Sequence, residues 1–168
     1  ADVDRAVQAF VGDIMQVPPM YSALKHNGVP LYKLAREGVE IERAARPVTI
    51  YSIDVLDFRP GDKAQVDLDI HCSKGTYIRT IAEDLGKALG VGAHVIKLHR
   101  SQAGPFVEAD TVDLDQLFAE RGEGEAELLD HHLLPVDTAV EDFPALTLPE
   151  TTAYYFRQGQ PVMDAQVY

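Results

Sequence analysis

The segment that decides the fold runs from Leu68 to Arg100 and reads LDIHCSKGTYIRTIAEDLGKALGVGAHVIKLHR. Its residues predict a strand, a glycine turn, an amphipathic helix, a glycine-rich exit and then a second strand over His94–Arg100. An aromatic residue and a cation, Tyr77 and Arg79, stand at the start of the predicted helix. The rest of the chain is interpreted as packing for this segment or as an arm beside it.

The first strand and the helix are predicted from the spacing of their apolar residues, which differs between the two elements. Apolar and polar residues alternate from Ala64 to Cys72, which predicts a half-buried antiparallel strand. From Tyr77 onward apolar residues recur with the period of a helix. Ser73 or Thr76 is predicted to cap this helix, and Gly90 is predicted to end it.

The residues upstream add helices and one more strand. The spacing predicts an amphipathic helix over Asp2–Val11, a turn at His26-Asn27-Gly28 and a short helix over Leu31–Arg36. Pro47–Phe58 is rich in β-branched and aromatic residues and predicts a strand. A hairpin of strands, rather than strands joined through helices, predicts an α+β fold with a mainly antiparallel (mixed) sheet and flanking helices.

Composition is ordinary for a globular protein, with 168 residues, 46% hydrophobic and 25% charged. A lone cysteine, Cys72, excludes an internal disulfide framework, and the cytoplasm is the expected compartment. No apolar run is long enough for a membrane span. The chain begins at Ala1 without Met and stops at Tyr168, so we expect a piece of a longer protein.

The net charge of −12 is concentrated in one segment. Residues 1–103 carry 13 Lys and Arg against 13 Asp and Glu, whereas residues 104–150 carry 13 acids and one base. Nucleic-acid binding requires local positive charge. The acidic total therefore does not exclude such binding by the first part of the chain.

Residues 22–50 are basic, poor in apolar residues and interrupted by Gly and Pro. Such a segment buries little surface, which predicts mobility. One interpretation is a solvated surface excursion, which the sequence alone favours. The other is an arm that becomes ordered against a polyanion.

Few residues suggest chemistry by pattern alone. The six His are scattered, and His131 and His132 are adjacent rather than at ligand spacing, so no metal site is predicted. Cys72 falls on the buried face of its strand, which disfavours a thiol nucleophile. No phosphate-binding loop or dinucleotide fingerprint is present.

Lys74, Tyr77 and Arg79 remain as candidates at the start of the helix. Two structural explanations compete with a functional one: a pair between Arg79 and Glu83, and Tyr77 filling the seam between helix and sheet. In the functional interpretation the planar guanidinium of Arg79 holds a carboxylate in one orientation. Tyr77 would then lie beside a base taken out of its stack.

At these residues the chain resembles the bacterial tRNA pseudouridine-55 synthases, the TruB family. The matching stretches cover the chain in order and are most specific from Cys72 to Arg100. They comprise VPPMYSALK (17–25), the pattern Gly28, Leu31, Tyr32, Ala35, Arg36 and Gly38, then ARPV (45–48), HCSKGTYIRT (71–80), GAHV (92–95), and Leu98 and Arg100.

The resemblance implies an isomerase that converts a uridine of the tRNA T-arm stem-loop to pseudouridine. It also implies that the uridine is flipped out of its stack and that the reaction uses neither cofactor nor metal. In the family an Asp attacks the flipped uridine. Arg79 matches the Arg that pairs with this Asp, and Tyr77 and Leu98 match residues lining the uridine pocket. Residues 22–50 correspond to the insertion that closes over RNA. A monomer is expected.

The resemblance also divides the chain. Residues 1–143 correspond to the C-terminal portion of the catalytic domain, in which 104–143 form an acidic helical segment. Residues 144–168 resemble the start of a small PUA-like RNA-binding domain. Seven cations are candidates for RNA contacts: Lys25, Lys33, Arg36, Arg46, Lys74, Lys97 and Arg100.

One departure from the family is large. The catalytic Asp lies in a loop of the type GHTGxLDP, and this sequence has no HTG and no equivalent LDP. The chain alone is therefore expected to be inactive until the N-terminal part of the enzyme is supplied. Two alternatives remain open: a non-catalytic RNA-binding or RNA-folding module, and an acidic interaction domain.

Overall fold

A computed structural model describes residues 2–163, and the chain divides into two units, residues 1–98 and 99–168. In chain order, the first unit contains α1 (Asp2–Gln8), β1 (Gly12–Gln16), β2 (Lys25–His26), β3 (Val29–Pro30), α2 (Leu31–Arg36), β4 (Arg46–Arg59), β5 (Gln65–Cys72) and α3 (Ile78–Ala88).

The main sheet has the order β1-β4-β5, and both pairings are antiparallel. This confirms the α+β class and the two strands predicted over Pro47–Phe58 and Ala64–Cys72. Strand β5 alternates between exposed and half-buried residues, as its sequence predicts. Strand β1, which the sequence did not reveal, pairs with the start of β4, Gly12 opposite Ile50 and Gln16 opposite Arg46.

The core lies between this sheet and the helices α1 and α3. Its buried side chains are Val7, Ile50, Ile53, Ile81 and Leu85, one or two from each of α1, β4 and α3. Burying a side chain of this size stabilises a fold by roughly 1.5–3 kcal/mol. Helix α1 ends at Gln8, earlier than predicted, and a short turn leads into β1.

A two-residue turn joins β2 to β3, and it confirms the turn predicted at this place. Its central residues Asn27 and Gly28 both have positive φ, 49° and 81°. That backbone is the type I′ turn, which favours Asn-Gly because glycine lacks the Cβ that would clash. Helix α2 follows at once and matches the predicted short helix.

Helix α3 ends with a Schellman motif and a close backbone crossing. Gly90 N–H donates to the Lys87 carbonyl at 3.0 Å, and Val91 N–H donates to the Gly86 carbonyl at 3.1 Å. Gly90 thus ends the helix as predicted. The exit loop then passes over Gly86, where a Cβ would lie 2.2 Å from the Ala93 nitrogen, so a side chain at position 86 would collide with backbone.

The predicted cap of α3 is wrong. The residue before the helix is Tyr77, and no side chain caps the first turn. Ser73 Oγ instead accepts from Thr49 N–H at 3.0 Å, and Thr76 Oγ1 donates to the Ser73 carbonyl at 2.8 Å. Both hydroxyls are engaged in holding the loop to β4 and to itself, so neither reaches the helix amides.

The strand predicted over His94–Arg100 is also wrong. These residues have no regular secondary structure. A strand requires a neighbour with which to exchange hydrogen bonds, and none of the described strands lies beside them. The apolar side chains that suggested a strand are exposed, Ile96 at 68% and Leu98 at 61%.

The second unit consists of short elements. They are β6 (Gln102–Ala103), β7 (Phe106–Val107), α4 (Leu114–Arg121), α5 (Glu150–Arg157) and three 3-10 helices (Glu108–Asp110, Ala126–His132 and Thr138–Val140). Within the segment 104–143, which the sequence predicts to be acidic and helical, Leu114–Arg121 is an α-helix and Ala126–His132 has 3-10 geometry. No residue from 99 to 163 is buried.

The predicted PUA-like segment is described only up to residue 163, and residues 164–168 lie outside the described part. None of the helices found between residues 2 and 163 has the length and apolar character needed to cross a membrane.

Candidate active site

A cleft of about 220 Å³ lies where β1, β4 and the loop before α3 meet. Three of the candidate residues, Arg46, Lys74 and Tyr77, line it. The other lining residues are Gln16, Pro18, Leu24, Pro47, Val48 and Gly75. The cleft is smaller than sites for drug-sized ligands, which measure about 300–1,000 Å³. Its size and its largely apolar wall suit a single planar group.

Gln16 fixes the position of Tyr77. The side chain of Gln16, only 3% exposed, donates to the Tyr77 carbonyl at 3.2 Å and accepts from Tyr77 N–H at 2.8 Å. A buried amide needs both of its polar ends paired, and here one backbone residue satisfies both. The end of β1 therefore holds the residue that precedes α3, and with it the half-buried Tyr77 ring.

Lys74 is placed by the same loop. Ser73 is tied to β4 by two hydrogen bonds with Thr49, the backbone one from Ser73 N–H at 2.8 Å. The next two residues are then exposed at the cleft. Arg46, the first residue of β4, lies opposite Gln16 in the strand pairing and contributes a second cation. Two exposed cations thus border one cleft.

Arg79 projects from the first turn of α3 and is exposed. Its Nη2 donates to the Tyr21 carbonyl at 2.7 Å. The alternative pair with Glu83 is not formed, because Glu83 bonds Lys87 Nζ at 2.7 Å instead. Within residues 2–163, Arg79 has no carboxylate partner. The guanidinium is therefore anchored at one nitrogen while its charge is uncompensated.

Two buried hydroxyls accompany this hydrogen bond. Ser22 follows Tyr21 and Thr80 follows Arg79, and they are 6% and 7% exposed. Neither hydroxyl oxygen has a hydrogen-bond partner among the described residues. Buried polar atoms without partners are uncommon and call for an explanation. Ser22 and Thr80 are therefore the unsatisfied buried side chains among the described residues, and both lie next to the Arg79–Tyr21 hydrogen bond.

Leu98 is not brought to the cleft. It is 61% exposed and lies in the irregular segment after α3. Its neighbour Lys97 lies near β5, since its charge helps to lower the pKa of Asp67, although the hydrogen bond from Arg59 is the larger cause. The structure therefore groups Tyr77 with Arg46 and Lys74, and leaves Leu98 apart.

The candidate cations between residues 25 and 36 sit on an ordered hairpin and helix. Lys25 lies on β2, and Lys33 and Arg36 lie on α2, all exposed. Arg36 is held over the ring of Tyr32, 5.4 Å from its centroid. Arg43, which follows α2, donates a hydrogen bond to the Pro18 carbonyl at 2.8 Å and so ties the end of this segment to its start. These positive charges are free to meet a polyanion.

Arg100 belongs to the second unit, where it is exposed.

The same unit holds the one group within residues 2–163 whose donor atoms could hold a metal ion, formed by Glu120, His131 and His132. The sequence did not predict this group, because the spacing of neighbouring His residues does not reveal how a 3-10 helix presents them.

Sequence reasoning missed Gln16. Its role depends on a contact with a residue 61 positions later, and the neighbouring sequence carries one signal of its burial. Ile14 and Gln16 share a face of an extended stretch that ends at Pro18-Pro19, where the chain is held out of helical geometry.

Two family models match the chain one after the other. The model described as TruB family pseudouridylate synthase, N-terminal domain, matches residues 1–78. The model described as tRNA pseudouridylate synthase B C-terminal domain matches residues 79–141. The junction falls in the first turn of α3, beside the candidate site.

Similar proteins carry the same family name. The chain is 58% identical over 168 residues to the tRNA pseudouridine synthase B of Saccharophagus degradans, with all of this chain and 54% of that protein covered. It is 52% identical over 161 residues to that of Pseudomonas aeruginosa strain UCBPP-PA14, covering 96% of this chain and 52% of that protein. The chain spans about half the length of the curated relatives it matches.

Solved structures share the fold. A Cbf5-Nop10-Gar1 complex contains a chain that matches with a TM-score of 0.73 and 26% identity, covering 98% of this chain and 46% of that one. The archaeal box H/ACA sRNP Nop10-Cbf5 complex matches with a TM-score of 0.67 at 22% identity, covering 98% and 44%. The two family models together match residues 1–141 and the curated relatives carry the corresponding name, so the chain belongs to the TruB family of pseudouridylate synthases.

Proposed function

We propose that this chain forms part of a tRNA pseudouridine synthase that isomerises uridine to pseudouridine at position 55 in the T-arm. The observation that carries the proposal is Arg79, a guanidinium anchored on the Tyr21 carbonyl with no carboxylate partner within residues 2–163. Beside it stands the cleft lined by Tyr77. Family membership supplies the reaction class.

In this proposal Arg79 positions a nucleophile that this sequence does not contain. An Asp from a loop of the type GHTGxLDP would pair with the guanidinium, which keeps a carboxylate ionised and aimed. The two buried hydroxyls without partners, at Ser22 and Thr80, are consistent with a polar segment docking nearby. The isomerisation detaches the base and rejoins it through carbon, so it needs no external reactant.

Tyr77 would line one side of the flipped uridine, with the apolar residues of the cleft around it. Leu98 would line the other side. Because Leu98 is 61% exposed, this role requires that the base or another part of the enzyme cover it. The pocket is therefore completed only in the whole enzyme with RNA bound.

The basic residues would contact phosphates. Lys74 and Arg46 flank the cleft, and Lys25, Lys33 and Arg36 lie on the hairpin and α2. Lys97 and Arg100 would extend the contacts beyond α3. Phosphate contacts position an RNA without reading its sequence, so these residues would contribute affinity for tRNA rather than the choice of uridine.

A second candidate function is a non-catalytic RNA-binding or RNA-folding module. It is favoured by the exposed cations of the first unit, Lys25, Lys33, Arg36, Arg46 and Lys74. The two functions differ in one measurable respect. Only the first makes Arg79 essential for a chemical step.

The test uses the complete enzyme with Arg79→Ala, assayed for pseudouridine in a T-arm stem-loop under single-turnover conditions. The rate should fall by about 100-fold or more while tRNA affinity changes little, because a residue that holds the nucleophile acts on the transition state. Lys63→Ala, which removes an exposed cation in the turn between β4 and β5, is the matched control and should behave as the unchanged enzyme.

Equal losses of rate and affinity in Arg79→Ala would contradict the positioning role. The isolated chain should form no pseudouridine and should regain activity when the upstream segment is supplied. Full activity of the isolated chain would overturn the proposal. Salt-dependent tRNA binding without any activity in the complete enzyme would favour the non-catalytic module.

A further inference from the structure

We propose that Glu120, His131 and His132 form a site for a divalent transition-metal ion such as Zn²⁺. Glu120 lies near the end of α4, and the two histidines end the 3-10 helix Ala126–His132. One donor atom from each residue lies within 4.8 Å of the other two. The inference concerns the second unit alone and does not depend on the proposed catalytic function.

One of the two donor distances matches that of a metal centre, and the other is a direct hydrogen bond that the ion would replace. His132 Nε2 lies 2.5 Å from Glu120 Oε2, and His131 Nε2 lies 3.5 Å from the same oxygen. Around tetrahedral Zn²⁺, with bonds of about 2.0–2.2 Å, neighbouring ligand atoms stand roughly 3.4 Å apart. Small side-chain rotations would therefore admit the ion. Two imidazoles and a carboxylate are also a ligand set that Zn²⁺ accepts.

The surrounding hydrogen bonds orient the ligands as metal sites require. His131 Nδ1 lies 3.0 Å from the Leu128 carbonyl, and a carbonyl only accepts, so Nδ1 carries the proton. In the neutral ring Nε2 then presents its lone pair on the side of Glu120. Gln116 Nε2 donates to Glu120 Oε1 at 2.7 Å and fixes the carboxylate. Such outer contacts are typical of metal-ligating histidines.

One contact of this group is unfavourable when His131 is neutral. With Nδ1 as donor, the lone pair of His131 Nε2 faces a carboxylate oxygen 3.5 Å away, and the lone pair and the anionic oxygen repel each other. Either a second proton on the ring or a metal ion among the three side chains removes this repulsion. The 13 acids of residues 104–150 further favour an incoming cation by their summed negative potential.

The ion would join α4 to the 3-10 helix. No residue from 99 to 163 is buried, so the second unit has little apolar packing to hold these two elements together. A metal bound by residues from both elements would supply part of that constraint. Three protein ligands leave the fourth position for water.

The test is calorimetric titration of the tag-free chain with ZnCl₂ at neutral pH, supported by the visible absorption of bound Co²⁺. We expect one equivalent to bind saturably, and the binding to be lost in His132→Ala and in Glu120→Gln. Gln116→Ala, which removes only the outer contact, should weaken binding about 10-fold. His99→Ala removes an exposed histidine of the same unit that does not belong to the group, and its titration should match that of the unchanged chain.

A second measurement reports on the structural effect. Zn²⁺ should slow amide hydrogen exchange over residues 126–132 in the unchanged chain and not in His131→Ala/His132→Ala. The proposal is overturned if no saturable binding occurs, or if the double variant binds as well as the unchanged chain. It is equally overturned if His99→Ala loses as much affinity as His132→Ala.

Discussion

Gln16 shows how one side chain determines the geometry of the candidate site. Its amide is 3% exposed and pairs with both polar backbone groups of Tyr77. Replacing it by Leu keeps the volume but leaves Tyr77 N–H and C=O unpaired. We expect Gln16→Leu to lower the free energy of unfolding by roughly 1–3 kcal/mol, measured by urea denaturation.

The matched control is Gln102→Leu. Gln102 also donates an amide hydrogen bond to backbone, to the Gly104 carbonyl at 3.0 Å, but both residues are exposed, so water replaces the lost contact. We expect its effect to be about 0.5 kcal/mol. If Gln102→Leu destabilises the chain as much as Gln16→Leu, then burial of the Tyr77 contact is not what matters.

The Asp67 carboxyl gives a pH-dependent test at the scale of a residue. Its pKa lies below the usual value because Arg59 donates to both carboxylate oxygens, at 2.8 and 3.0 Å, and because Lys97 adds a weaker attraction. A lowered pKa in the folded state contributes stability above the unfolded pKa of about 3.9. That contribution is lost as the pH falls through the folded pKa.

We expect Arg59→Met to raise the Asp67 pKa toward its usual value, because the largest cause of the shift is removed. The carboxyl carbon signal of Asp67, followed by NMR through an acid titration, measures this. Lys63→Met removes an exposed cation in the turn between β4 and β5 that makes no hydrogen bond to Asp67, and it serves as the control. An unchanged Asp67 titration in Arg59→Met would refute the assignment.

Three of the candidate residues lie together in the structure. Tyr77, Lys74 and Arg46 line one cleft, two of them in the loop that precedes α3. Leu98 does not reach it, because the strand expected to carry it has no partner among the described strands. Gln16 could not be predicted, because its contact joins positions 61 residues apart.

At the scale of an element, the crossing at Gly86 controls the end of α3. A Cβ there would lie 2.2 Å from the Ala93 nitrogen and 2.3 Å from the Gly92 carbonyl carbon, both backbone atoms. We expect Gly86→Ala to destabilise the chain by about 1–3 kcal/mol, although alanine is the better helix former. Thermal and urea unfolding measure the loss.

Ala88→Ser provides the comparison. It adds one heavy atom at an exposed position of the same helix, so we expect a change within about 0.5 kcal/mol. The expected order is therefore the reverse of helix propensity. Gly86→Ala being neutral or stabilising would mean that the exit loop is free to move away from the helix.

The elements that sequence reasoning found are those whose period is visible within the element. Strands β4 and β5 and helices α2 and α3 are of this kind. Strand β1 has five residues and depends on pairing with β4, which begins 30 residues after it ends, so its own pattern is too short to read. The prediction of the α3 cap failed for a similar reason, because the hydroxyl of Ser73 accepts a hydrogen bond from Thr49 on β4, which lies far away in the sequence.

At the scale of the whole molecule, charge is divided between segments. Residues 1–103 are balanced, and residues 104–150 hold 13 acids against one base. We expect the chain to bind tRNA with an affinity that falls as salt rises, because phosphate contacts release counterions. Lys74→Ala should weaken binding and lower the slope of log affinity against log salt by about 1.

Lys63→Ala is the control for this measurement, since Lys63 lies in the turn between β4 and β5 and is not among the residues lining the cleft. Filter binding or fluorescence anisotropy at several salt concentrations gives the slope. Binding that ignores salt, or a Lys63→Ala slope as low as that of Lys74→Ala, would contradict an RNA face at the cleft.

The turn at Asn27-Gly28 limits the chemical stability of the purified protein during storage. Asparagine followed by glycine is prone to deamidation, since no side chain hinders attack of the next amide nitrogen on the amide carbon, and such residues are thermolabile. The reaction would add a negative charge between Lys25 and Lys33 and, in the isoaspartyl product, lengthen the backbone of a two-residue turn. A sample stored warm would therefore lose the pairing of β2 with β3 while its core stayed folded.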